Sequence, residues 1–370
     1  MDQSALIRLA RLDDIPRLVE IEKACFDTDR LTRRNFRYML TKGHAETLVA
    51  EQDGGVVGYL MVLFHRGTSL ARLYSIAVME NARRSGVGRE LVQAAEKAAQ
   101  THDCIYMRLE IRADNAPSQR MFEGMGYQPF GRYLKYYDDQ ADAVRLEKRL
   151  VRNPPPSISH VPYYEQTLDF TCGPAALMMA MKALDDATQM SRQLELRLWR
   201  ESTTIYMTSG HGGCGPYGLA LAAYRRGFGV DIYVKEGETL FIDSVRSAEK
   251  KEVIRLVEDD FLDEIAELPI GLHYHRLGLA EIIAALDAGA IPVILISSYR
   301  IYKEKFPHWV VVTGHDERYI YFHDSYIDVE KGKTVTDCVN MPIMQRDFER
   351  MSQYGKSGQH AALILTRPRG

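Results

Sequence analysis

The residues best suited to chemistry fall into two groups far apart in the chain. In Tyr164-Glu-Gln166-Thr-Leu-Asp-Phe-Thr-Cys172-Gly-Pro-Ala-Ala-Leu-Met-Met-Ala-Met181 a thiol stands before Gly-Pro and an apolar, alanine-rich run. Proline suits the first helical turn, so the run reads as a buried helix entered at Cys172. A thiol there meets the positive end of the helix dipole, which lowers its pKa and makes a nucleophile of it. Gln166, six residues earlier, can offer its side-chain amide to a developing oxyanion. The competing reading is a packing residue, because cysteine is among the most buried residue types.

A thiol nucleophile needs a base, and the stretch His308-Trp-Val-Val-Val-Thr-Gly-His315-Asp-Glu-Arg-Tyr-Ile-Tyr-Phe-His323-Asp324 reads as strand, turn, strand. With the turn centred on Asp316, His308 lies directly opposite Asp324. That carboxylate would hold the imidazole tautomer, giving a Cys172, His308, Asp324 triad; an ordinary cross-strand pair is the alternative. His315 then sits at the tip in solvent, and His323 points to the other face. Cys214 repeats Cys-Gly-Pro but has Thr208 where the glutamine would stand, and reads as a structural loop entering a helix over 219–226.

The second group is Arg83-Arg84-Ser85-Gly86-Val87-Gly88. Its glycines let a backbone approach a ligand while free N–H groups at a helix start favour a phosphate; a plain glycine turn is the alternative.

These groups require scaffolds. Glu46–Glu51 and Val56–Phe64 read as strands joined at Asp53-Gly-Gly, followed by a strand over 73–78, a helix over 86–99 and a strand over 105–111. Strands alternating with helices imply an α/β domain. At Arg152-Asn-Pro-Pro-Pro-Ser-Ile-Ser-His160 the periodicity stops, and three prolines cannot continue a helix or a central strand. The chain therefore divides into a domain over 1–150, a proline-rich linker over 151–160 and a domain over 161–370.

Composition narrows the classes. The 370 residues are 46% apolar and 26% charged, those of an ordinary globular protein. Lysine plus arginine number 47 against 50 acidic residues, 23 against 21 up to residue 150 and 24 against 29 beyond it, so neither half has the basic excess of nucleic-acid binding. No signal peptide or membrane-spanning run is read, which implies a cytoplasmic protein. Five widely spaced cysteines without Cys-x-x-Cys suggest neither a disulfide framework nor a zinc site. His273-x-His275 alone is weak metal support, since a strand puts both rings on one face for packing as readily. No metal is expected, and the oligomeric state stays open.

In order, Ile76-Ala-Val78, the Arg83-x-x-Gly86-x-Gly88 turn, Arg108-Leu-Glu-Ile-Arg112, Asn115 and Phe122-x-x-x-Gly126-Tyr127 resemble the GCN5-related N-acetyltransferases (GNAT), and among them the ribosomal-protein alanine acetyltransferases; Tyr136 to Ala143 looks like that subgroup too. The resemblance implies a mixed sheet with flanking helices. It implies acetyl-coenzyme A along Ile76, Ala77 and Val78, its pyrophosphate on the amides of Arg83, Arg84, Ser85, Gly86, Val87 and Gly88, and Asn115 near the pantetheine arm. It also implies Glu110 as the base that deprotonates the acceptor amine. Partial burial would raise that carboxyl's pKa, and a salt bridge to Arg108 or Arg112 is the other reading. The subgroup's general-acid tyrosine falls at Met121-Phe122, which leaves Tyr127, Tyr133, Tyr136 or water as the proton donor.

Gln166, Cys172-Gly-Pro, His308 and Asp324 together resemble the peptidase C39 and C39-like cysteine peptidases, relatives of the papain fold. That implies an α+β domain with Cys172 as nucleophile, His308 as base, Asp324 as orienting residue and Gln166 as oxyanion donor. The expected protein is bifunctional, acetylating an amino group and cleaving an amide through a thioester, with peptide or protein substrates. An acetyl-CoA sensor controlling a peptidase, an acetyltransferase with an idle peptide-binding module, and an amide ligase are the alternatives.

Overall fold

A computed structural model describes residues 5–152, 154–203, 212–235, 239–242, 245, 247–355 and 358–368, with Thr208 of the sequence comparison outside them. The chain forms two compact units, Met1–Asn153 and Pro154–Gly370.

The first unit runs β1 (Leu6–Leu9), α1 (Ile15–Cys25), α2 (Arg33–Thr41), β2 (Ala45–Gln52), β3 (Gly55–Phe64), β4 (Leu70–Val78), α3 (Val87–Thr101), β5 (Tyr106–Arg112), α4 (Ala116–Glu123), β6 (Gln128–Tyr133) and β7 (Ala143–Arg149). Its sheet order is β1-β2-β3-β4-β5-β7-β6. Every neighbouring pair is antiparallel except β4 and β5. At the β2–β3 turn Asp53 and Gly54 have φ of 52° and 77°, the left-handed pair that a tight hairpin of this hand requires. Alternation along the strands gives the sheet two apolar faces. Leu60, Val62 and Leu73 meet Leu91, Val92 and Ala95 of α3 on one, and Tyr59 and Met61 meet Leu18, Ile21 and Phe36 of α1 and α2 on the other.

Two irregularities position the first site. β4 and β5 pair in register only from Leu70 opposite Tyr106 to Arg72 opposite Arg108, although both strands run on. Next to that point Met61 faces Ser75 while Val62 faces Leu73, so Tyr74 is the extra residue of a bulge. The bulge resets the alternation, and Arg72 and Ser75 both project on the α1 face.

The second unit runs β8 (Ser157–Ile158), α5 (Cys172–Leu184), α6 (Arg192–Ser202), α7 (Pro216–Tyr224), β9 (Phe228–Val234), α8 (Ala248–Ala266), β10 (Gly271–His273), α9 (Leu279–Asp287), β11 (Ile291–Ser297), α10 (Tyr299–Tyr302), β12 (Pro307–His315), β13 (Tyr319–His323), α11 (Val335–Cys338), β14 (Met341–Met344), α12 (Gln345–Met351) and β15 (Ala361–Pro368). The sheet order is β10-β9-β15-β11-β12-β13-β14. The stretch read as a linker is not wholly a tether, because Ser157 and Ile158 pair with His315 and Gly314 of β12. α5 is apolar all round and packs with α7 against Val293, Leu295, Trp309 and Val311, which carries Cys172 to the sheet. The opposite face packs against α9 and α12. Among the described residues no helix is long and apolar enough to cross a membrane.

The close approach of α6 and α7 depends on Gly218. A Cβ there would lie 2.6 Å from Ser202 Cα and 2.9 Å from Ser202 O, backbone atoms that cannot swing aside. Gly218→Ala is expected to cost about 1–3 kcal/mol of stability, as overpacking does, seen as a lower urea midpoint for the second unit with no change in the first.

Candidate functional site

Where β4 and β5 part, the first unit opens a cleft of about 690 Å³. Ile76, Asn115, Glu110, Ser75, Tyr136 and Tyr137 are among its lining. Met79 N–H donates to Val57 O at 2.9 Å, so antiparallel alternation turns the backbone groups of Ile76 and Val78 away from β3, toward the gap. The side chain of Ala77 instead packs among α1 and α2. At the end of β4, Arg84 and Gly86 take φ of 66° and 95°, folding the chain back into α3. Among the described residues the N–H groups of Arg84, Ser85, Gly86, Val87 and Gly88 meet no protein acceptor. The loop is thus a ring of donors at a helix start, suited to a phosphate. Arg83 does not join it, because its N–H donates to Glu80 O at 3.2 Å and its Nε to Val78 O at 3.0 Å. Asn115 caps α4, its side-chain oxygen accepting Ser118 N–H at 3.2 Å.

The two arginines on the strand of Glu110 bind other carboxylates. Arg108 binds Glu147 at 2.9 Å and Arg112 binds Asp114 and Asp139 at 2.9 and 2.8 Å. Glu110 pairs with Arg72 at 3.0 Å, both side chains being buried. The parallel register explains this: Arg72 lies opposite Arg108, one step along the same face from Glu110. Arg72 also donates to Tyr136 Oη at 3.0 Å. Of the tyrosines weighed as proton donors, Tyr127 is in the core, its hydroxyl against Met107 Sδ at 3.2 Å and its ring against Phe122. Tyr133 stacks behind Tyr136 at 5.2 Å. Tyr136 itself lines the cleft, as does Tyr137, which sequence reasoning had not singled out. Burial, then the charge of Glu110, pushes both phenols up, Tyr137 to about 12, so both keep their protons.

In the second unit His308 Nε2 donates to Asp324 Oδ1 at 2.7 Å, with both side chains fully buried. Cys172 lies beside His308 and the amides of Trp309 and Gly173, close enough for all three to favour its thiolate. The hairpin does not bring His308 and Asp324 face to face. Near its tip His315 opposes Ile320, a bulge falls at Thr313, and deeper in Val311 opposes His323. That register carries His308 two residues beyond Asp324, a shift of two that keeps both on one face as diagonal neighbours. His323 does point elsewhere, to Val161 O at 2.8 Å. His315 is not simply solvated, since its Nε2 meets Asp287 at 2.9 Å. His273 and His275 pack against Tyr233, and the described residues hold no cluster able to bind a metal.

Further groups brace the triad without a sequence signal. Asp324 accepts Tyr326 N–H at 2.9 Å and the Tyr302 hydroxyl. The buried Lys333 ammonium lies 4.3 Å from the Tyr302 ring centre. Gln166 is fixed beside the triad: Ser325 Oγ donates to its Oε1 and its Nε2 donates to Leu168 O, both at 2.9 Å. Buried Glu195 accepts from Tyr164 Oη at 3.0 Å, Thr167 N at 2.8 Å, Thr167 Oγ1 at 2.7 Å and Thr171 Oγ1, tying down the loop between Gln166 and Cys172.

Burial alone would push the Cys172 thiol up; the hydrogen bond and charge of His308, with the two amides, outweigh it and hold the thiol below its ordinary value. Burial likewise pulls His308 down, and Asp324 and Cys172 outweigh it, so the imidazole keeps its proton above the usual range. Cys104, Cys214 and Cys338 are pushed up by burial, Cys104 to about 12.

Residues 161–366 match the profile of the Peptidase_C39 like family, and residues 15–127 that of the acetyltransferase (GNAT) family. The chain is 31% identical over 143 residues to a Bacillus subtilis protein provisionally named a [ribosomal protein bS18]-alanine N-acetyltransferase, covering 38% of this chain and 93% of that one. It is 31% identical over 156 residues to an N-alpha-acetyltransferase of Sulfurisphaera tokodaii, covering 38% and 90%. The crystal structure of the Escherichia coli ribosomal-protein-S18-alanine N-acetyltransferase matches at 20% identity and a TM-score of 0.37, over 40% of this chain and 96% of that one.

Because His308 lowers the Cys172 pKa, Cys172 is expected to react with iodoacetamide at pH 7 while the buried thiols stay intact. His308→Ala removes the main opposition to burial and raises that pKa, so the rate at pH 7 falls about tenfold or more and recovers as pH rises. Peptide mass spectrometry across pH reads both.

Proposed function

The chain belongs to the peptidase C39-like family and, through its first unit, to the GNAT acetyltransferase family, and on that footing we propose a bifunctional peptide-modifying enzyme. One site acetylates an amino group and the other opens an amide by cysteine chemistry. The observations that carry the first half are the cleft between the parted strands and, outside its lining, the unpaired amides at the α3 start. The triad carries the second.

Acetyl-CoA supplies an acetyl thioester. Its pyrophosphate is assigned to the amides of Arg84 to Gly88, and its pantetheine arm to the outward backbone of Ile76 and Val78, with Asn115 opposite. Glu110, held in place by Arg72, faces the amine as base. Phe122 has no proton to give, and the hydroxyl of Tyr136 or Tyr137 stands in that role. The acceptor is the amino group of a peptide or protein, in keeping with the activities that the relatives' names give.

In the second site the Cys172 thiolate attacks an amide carbonyl, and the carbonyl oxygen is met by the Gln166 amide. The His308 imidazolium gives its proton to the departing amine, Asp324 holding the ring. Water activated by His308 then releases the acyl group from sulfur.

Wild type, Glu110→Gln and Cys172→Ala, each incubated with acetyl-CoA and a mixed peptide library, test both halves by mass spectrometry. Acetylated peptides should fall about 100-fold or more in Glu110→Gln alone, and cleaved peptides should vanish in Cys172→Ala alone. Binding of acetyl-CoA with no acetylated product would make the first unit a sensor. Cleavage that survives Cys172→Ala would end the peptidase assignment.

A further inference from the structure

A second carboxylate borders the first cleft. Glu22 of α1 is only 2% exposed, yet borders the cleft. Its Oε1 accepts Leu31 N–H at 2.7 Å and its Oε2 accepts the Tyr59 hydroxyl. Both oxygens are acceptors, as an ionised carboxylate requires. Tyr59 thereby spends its own proton on Glu22, so its oxygen can only accept from Ser75 Oγ, 2.8 Å away. Ser75 lines the cleft, and the bulge at Tyr74 sets it on the same face as Arg72. The direction is fixed throughout: Ser75 gives to Tyr59, Tyr59 gives to Glu22, and the free lone pair of Ser75 is left for a donor in the cleft.

We propose that Ser75, Tyr59 and Glu22 form a proton relay that takes the first proton from the acceptor ammonium, a role that rests on the acetyltransferase reading above. Glu110 is already engaged by the Arg72 guanidinium, and forming an amide from an ammonium releases two protons. In the relay the ammonium proton passes to Ser75 Oγ, the Ser75 proton to Tyr59 Oη and the Tyr59 proton to Glu22, which becomes a neutral acid. The freed amine then forms its C–N bond to the acetyl carbonyl as the C–S bond breaks. The second nitrogen proton passes to Glu110, while the Tyr136 or Tyr137 hydroxyl protonates the departing sulfur and is reprotonated from Glu110, so coenzyme A leaves as a thiol without a tyrosine at position 122. The proton on Glu22 returns to solvent along the same chain when product leaves. Burial holds the Glu22 pKa above the ordinary carboxyl value, against the bonds from Tyr59 and Leu31 and the nearby charge of Arg30, which suits it to receive a proton. Ser75 is the catalytic member because it faces the amine; Tyr59 and Glu22 act through it.

The full-length protein tests this with the peptide that the wild type acetylates best. Ser75→Ala and Tyr59→Phe should each lower kcat about 100-fold with KM for acetyl-CoA unchanged, and Ser75→Thr should restore kcat by restoring the hydroxyl. A second readout needs no turnover: with coenzyme A in place of acetyl-CoA, adding the peptide should raise an infrared carboxylic-acid band that is absent in Ser75→Ala and in Glu22→Gln. Wild-type kcat in both Ser75→Ala and Tyr59→Phe, or a band that persists in Ser75→Ala, overturns the relay and leaves the acetyltransferase reading standing. A wild type that binds acetyl-CoA but acetylates no peptide removes the reading and the relay together.

Discussion

A charge taken out of water costs several kcal/mol unless an opposite charge and hydrogen bonds meet it. Both sites of this chain are built around charges matched in that way. Arg72 and Glu110 lie buried together on adjacent strands, and His308 and Asp324 lie buried together across a hairpin. Behind each pair stands a further layer of hydrogen bonds: Tyr136 accepts from Arg72, and Tyr302 and the Tyr326 amide donate to Asp324. Glu22 and Glu195 are held by hydrogen bonds from hydroxyls and amides. The side chains that must hold a proton or a charge are therefore rigid before any substrate arrives.

The matching depends on strand register, and in each unit one extra residue sets it. Alternation has a period of two, so a single inserted residue sends all that follow to the other face. At Tyr74 the insertion brings Ser75 onto the face of Arg72 and coincides with the place where β4 and β5 part. At Thr313 it separates an outer hairpin register from the inner one that places His308 and Asp324 on a common face. The same strands then supply two services, closing a core on one side and presenting polar groups on the other.

Much of this was legible in the residues themselves. The Asp53-Gly-Gly hairpin, the strand ending at Val78, the helix that starts at Gly86 and the helix that begins at Cys172 follow from local sterics and from hydrophobic period, which neighbours in sequence decide. The pairing of His308 with Asp324 was legible too, though by a register two residues out that happened to preserve the face. The resemblance of the two ordered residue sets to known families fixed what each half is.

Sequence alone thus determined the elements, the division near the proline run, and which side chains are of types suited to chemistry, because those depend on short-range conformation and residue type. Tertiary structure decided who meets whom. Arg72 as the partner of Glu110, Tyr137 in the cleft, Lys333 over Tyr302, Glu195 under the loop before Cys172, and Glu22 behind Ser75 join residues distant in the chain, with no periodicity to announce them. Each contact is set by inter-strand register, a bulge or the seating of a helix on a sheet, and those are fixed only when the whole core packs.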